Sequence, residues 1–118
     1  MSLDIDLVLI TPACACCGRK EESDVVFWAN ITNNLSTMAE HAGIYKHLWR
    51  PEEIGITEAK ELIEPVSKAL EDMKARPDYY KQFEYPNGGG LYEHFVPWIE
   101  RYLQACIDYP EAEIEVSR

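Results

Sequence analysis

A chain of 118 residues fits one domain, because a second would be left with too little core. Its hydrophobic share of 47% supports a packed interior and argues against disorder, and a chain this long needs no metal or disulfide to fold. Against 21 Asp and Glu stand only 11 Lys and Arg; the formal charge of −10 disfavours non-specific binding to DNA or RNA, yet leaves room for a compact anion in a local basic pocket.

The opening residues, Met1 to Asp6, carry no basic region followed by an apolar run, and no stretch approaches the ~20 apolar residues that span a bilayer. The expectation is a cytoplasmic protein with no membrane attachment. Asp4 to Ile10 then alternates, with Ile5, Leu7 and Leu9 on one face, which is a strand pattern. Thr11 to Asp24 holds Pro12, Gly18 and the charged run Arg19 to Glu22, and reads as a long exposed connection. Val25 to Thr32 is rich in β-branched and aromatic residues and predicts a second strand, paired with the first as a hairpin.

A first helix is expected from Asn33 or Asn34, either one serving as its cap, with Leu35, Met38, Ala39 and Ala42 at helical spacing and Gly43 to end it. Ile44 to Trp49 suggests a further short turn, stopped by Arg50-Pro51. Thr57 is the expected cap of a second helix that buries Ala59, Leu62, Ile63, Val66, Leu70 and Met73; Pro65 inside it predicts a kink near Glu61. Arg76-Pro77 closes that helix, and residues 78–90 read as an aromatic, turn-rich connection. The third helix spans about Tyr92 to Asp108 and buries Phe95, Ile99, Tyr102 and Cys106, with Pro97 tolerable only in the first turn. Ala112 to Val116 alternates again and predicts an edge strand. The order β-β-α-α-α-β implies an α+β fold: a small antiparallel or mixed sheet with helices packed on one face.

Four groups of residues carry possible chemistry. Cys14-Ala15-Cys16-Cys17 places Cys14 and Cys17 at the spacing of half a zinc knuckle; Cys106 together with one of His41, His47 and His94 would have to complete the tetrahedron, or two chains would share one ion, and the plain reading is a loop with thiols. No cofactor other than zinc is suggested. Along the second strand Trp28, Asn30 and Thr32 share a face, and Asn34 follows at the helix start; such a row stacks a planar ring and bonds its edge, or else caps the helix and forms an internal network. Lys46, His47 and Arg50 interleave with Tyr45 and Trp49, so that cations would meet phosphate while a ring stacks on a base; the alternative is a core Trp49 beside a solvated face. Finally, Asn87 to Gly90 permits unusual backbone angles but matches no phosphate-loop pattern, with Tyr92, Glu93 and His94 close by. No Ser-His-Asp order or His-Glu-x-x-His pair stands out, which favours a binding role over catalysis.

Across nearly its whole length the chain resembles a family of small, mostly unassigned proteins of bacteriophages and actinobacteria. The resemblance rests on Asn30-Ile31-Thr32-Asn33-Asn34-Leu35, on Met38-Ala39, and on Ala42-Gly43-Ile44-Tyr45 followed by Leu48-Trp49-Arg50-Pro51-Glu52-Glu53. Asn87 to Gly90 with Tyr92-Glu93, Tyr102-Leu103 with Ala105-Cys106, and Val116-Ser117-Arg118 complete it. Cys16 is an extra thiol beside the paired-cysteine turn of that family. The chain is also similar in class to oligomeric phage sponges that sequester nucleotide signals. That resemblance implies a homo-oligomer binding a small nucleotide-like ligand in the bacterial cytoplasm.

Overall fold

The structure, a computed structural model, describes residues 2–11, 18, 22–84 and 90–117. Among these residues three strands form one antiparallel sheet: β1 (Ser2–Thr11) lies at the centre, β2 (Glu22–Thr32) on one side and β3 (Glu113–Ser117) on the other. The α+β expectation holds, and the sheet is antiparallel throughout. Alternation along β1 sends Leu3, Ile5 and Leu7 into the core. A bulge between Leu7 and Val8 leaves Val26 without a direct partner.

The two edges of the sheet differ. β3 is closed by the segment before the first long helix: Glu58 bridges to Glu113, and the Ile114 N–H donates to the Thr57 carbonyl at 2.9 Å. On β2, the Trp98 indole N–H donates to the Asn30 carbonyl at 3.1 Å.

The helical layer runs through α1 (Ser36–His41), α2 (Tyr45–Trp49), α3 (Lys60–Ala75), α4 (Pro77–Lys81) and α5 (Tyr92–Asp108). α3 and α5 pack together, burying Leu62, Val66, Leu70 and Met73 against Phe95, Ile99, Tyr102 and Cys106, as their spacing predicts. Among the described residues no helix is long and apolar enough to cross a membrane.

Several details correct the sequence reading. Thr32, not Asn33 or Asn34, caps the first turn: its hydroxyl accepts from the Asn34 N–H at 3.3 Å, and residues 33–35 form a 3-10 turn before α1. Gly43 does end α1, at φ 78°, and the Ile44 N–H reaches back to the Ala39 carbonyl at 3.0 Å. Thr57 offers its backbone rather than its side chain. The Glu61 carboxylate takes the Thr57 and Glu58 N–H groups at 2.8 and 2.9 Å, and those bonds hold it below the usual carboxylate range. Pro97 lies not in the first turn but at the sixth residue of α5, as Pro65 does in α3. Both helices continue past these prolines, and the cost falls on the Glu61 and Glu93 carbonyls, which lose their α-helical donors.

Residues 77–81, expected to belong to a helix end and a connection, form α4. Pro77 opens it, and the Tyr80 hydroxyl donates to Asp72, which also takes two bonds from Arg76, at 3.0 and 2.6 Å. That network folds the chain back from the end of α3. Glu84 then caps α5 by accepting the Tyr92 N–H at 2.7 Å.

Candidate functional site

Where α5 crosses the edge of β2, the chain leaves a groove of about 410 Å³. Its floor is Ile31, Pro97 and Trp98, and its polar rim is Asn30, Glu93, His94 and Arg101. Helical spacing puts His94, Trp98 and Arg101 on one stripe of α5, facing the strand. The bond from Trp98 to the Asn30 carbonyl pins helix to strand. Pro97 adds a further feature, since the Glu93 carbonyl it leaves without an i+4 donor belongs to a rim residue.

Arg101 is distinctive among the cations. Of the eight Lys and Arg side chains in the described residues, Lys46, Arg50, Lys60, Lys68, Lys74 and Arg76 are in ion pairs. Lys81 lies 5.6 Å from the centre of the Tyr92 ring. Arg101 alone among them has neither kind of partner, and it opens onto the groove.

The residues expected to bind ligand fall in different places. Trp28 and Asn30 share the outward face of β2, as alternation requires, but that face is acidic. Trp28 opens with Asp4, Asp6 and Glu115 onto a separate concavity of about 300 Å³. The Asn30 amide is already engaged there, donating to Ser2 Oγ at 3.0 Å and Asp4 Oδ1 at 2.7 Å. Thr32 acts as a helix cap, and Asn34 lies against Gly90, where an added Cβ would come within 3.2 Å of the Asn34 Cβ.

The basic-aromatic segment forms α2. Trp49 is a core residue at 3% exposure, stacked beside Tyr45 and donating its indole N–H to Asn33 Oδ1 at 2.9 Å, so it has no open face for a base. Arg50 is held by Glu53 at 2.8 Å and by the Tyr45 hydroxyl at 3.2 Å. Lys46 and His47 line a third concavity, of about 340 Å³, with Tyr45 and Ile54. Burial lowers the His47 pKa, which favours the uncharged ring, and its Nδ1 has no hydrogen-bond partner among the described residues. Trp28 on the strand and the pair Lys46 and His47 on α2 therefore line separate openings.

Cys14 and Cys17, with Cys16, lie outside the described residues, as do Asn87 to Gly89. Among the described residues no group of three His, Cys, Asp or Glu side chains is arranged to hold a metal. Cys106 is 1% exposed, and burial pushes its thiol up to about 12, the opposite of what a zinc-binding thiolate needs.

Sequence reasoning passed over Arg101. The signal was present: α5 has one Lys or Arg, seven residues beyond His94 on the same face. No family model, no curated protein and no solved structure matches the chain.

Proposed function

We propose that the chain is a non-enzymatic binding protein of the cytoplasm that holds a small nucleotide-like ligand in the groove between β2 and α5. The observation that carries this reading is Arg101, a cation with no ion-pair partner among the described residues, on a groove of about 410 Å³, within the usual size range of small-molecule sites. A phosphate would take Arg101, since a guanidinium offers planar paired donors. His94 and the Glu93 carboxylate supply a donor or acceptor for sugar hydroxyls or a base edge, while the exposed ring of Pro97 gives an apolar surface for the flat part of the ligand. The α2 cations support the reading less, because Arg50 is engaged by Glu53 and burial favours the neutral form of His47.

The resemblance to phage proteins that sequester nucleotide signals makes storage in a homo-oligomer the form this function would take. Calorimetry against cyclic dinucleotides and ADP-ribose is the test. Micromolar binding by the wild type is expected, weakened about tenfold or more in Arg101→Ala, with the ligand recovered intact after long incubation. No binding by folded protein, or equal binding by the variant, would reject the groove; a consumed ligand would make the protein an enzyme.

A further inference from the structure

Among the described residues, the outward face of the sheet carries charge of one sign. Cross-strand register sets Trp28 beside Asp6 and Asp6 beside Glu115, so one row reads aromatic, carboxylate, carboxylate. The next row places Asp4 between Asn30 and Ser117. Directly opposed like charges destabilise a sheet. None of the ion pairs among the described residues involves Asp4, Asp6 or Glu115. Trp28 is 64% exposed in the middle of this face and makes no ring contact among the described residues.

A ring beside carboxylates suits an organic cation, whose charge meets the acid while its flat or greasy part lies on the indole. A second copy of this chain is a poor occupant, since it brings the same acidic face and a formal charge of −10. The neighbouring edge says what form the cation takes. The Asn30 carbonyl accepts from Trp98, on the side away from β1, so by antiparallel alternation the Trp28 backbone N–H and carbonyl also point outward from the pair. The other edge, at β3, is occupied by Thr57 and Glu58. An extended strand laid along β2 would gain main-chain bonds at Trp28 and project alternate side chains over the acidic face.

We propose that the outward sheet face around Trp28, with the adjoining edge of β2, docks an extended arginine- or lysine-bearing segment of a partner protein. The surface is distinct from the groove at Arg101, and the proposal stands whether or not that groove takes a nucleotide. Charge complementarity with Asp4, Asp6 and Glu115 provides attraction, and Trp28 with the strand edge provides position.

The test is a titration of the full chain with a nine-residue peptide of alternating Arg and Val, and with its Glu-Val counterpart, followed by backbone and indole NMR shifts. Expected are shifts centred on Trp28, Asp6 and Glu115, no binding of the Glu-Val peptide, and weaker binding as salt rises. Trp28→Ala should lose roughly two- to fivefold in affinity. Asp6→Asn and Glu115→Gln each weaken binding while the melting temperature holds or rises, which keeps the test valid if the tryptophan variant folds poorly. No shift at millimolar peptide, shifts confined to the helical layer, or unchanged affinity in the carboxylate variants would overturn the proposal. So would concentration-dependent self-association that shifts the same residues, because a second copy would then be the occupant.

Discussion

Tyr102 gives the sharpest test of the core. It is 1% exposed, stacked on Phe27 with ring centres 5.9 Å apart, and its hydroxyl has no hydrogen-bond partner among the described residues. A buried polar group without a partner costs about 1–3 kcal/mol, whereas replacing it with a same-shaped apolar group removes that cost. Tyr102→Phe deletes one oxygen and keeps the ring, so the expected gain is about 1 kcal/mol. For 118 residues at roughly 2.1 cal/mol/K each, the unfolding entropy is near 0.25 kcal/mol/K, and the melting temperature should rise by about 4 °C. Calorimetric or circular-dichroism melts at neutral pH measure it. Burial also pushes the Tyr102 phenol well above its ordinary value of 10.0, so the group is neutral in the folded chain while an unfolded chain ionises it. The stability it contributes is complete below pH 10 and is lost as the pH rises further; the phenylalanine variant should lack that part of the alkaline loss. A melting temperature lowered by 4 °C or more would refute the reasoning, because it would mean the hydroxyl has a bonding partner worth more than its burial.

Glu61→Ala should lower the melting temperature at pH 7, with the gap closing in acid: its folded pKa is depressed, so its contribution is present above the ordinary carboxylate range and disappears as the pH falls through the folded value. With Cys14, Cys16 and Cys17 replaced by Ser, the remaining thiol at Cys106 should resist a thiol reagent in native buffer and react fully in denaturant; rapid native reaction would contradict its burial in α5. Elemental analysis of reduced protein decides the zinc expectation on Cys14 and Cys17: one zinc per chain or per pair, lost in a Cys14→Ser variant, is its signature, and metal-free folded protein removes it. Asn30→Ala takes a donor from Asp4 and frees that carboxylate, so arginine-peptide affinity should rise in a calorimetric titration.

Strand and helix positions were legible because burial imposes periods that survive in the sequence. Ile5 and Leu7 mark the core face of β1, and Leu62, Val66, Leu70 and Met73 mark that of α3. Capping was less legible. Several hydroxyl and amide residues stood within reach of each helix start, and the fold selected the Thr32 hydroxyl in one place and the first-turn carboxylate of Glu61 in another. α4 was missed although Pro77 and Asp78 are ordinary helix-opening residues, because the tyrosines after them suggested a loop. The site was the hardest part. Periodicity places a side chain on a face but does not say which faces meet: Trp28 opens onto the acidic face of the sheet, whereas Lys46 and His47 line a separate opening at α2.

The division has a physical origin in how charge is distributed over the two layers. The helical layer pairs most of its cations with carboxylates, which leaves Arg101 as its available positive centre. The sheet's outward face keeps Asp4, Asp6 and Glu115 uncompensated by any described cation. Asn30 stands between them, its side chain turned to Asp4 and its carbonyl turned to Trp98. An anion in the groove beside Asn30 and a cation on the sheet beside Asp4 would therefore both lie along one strand. Attraction between the two ligands would then make binding of either one favour the other, and by linkage the effect must be equal in both directions.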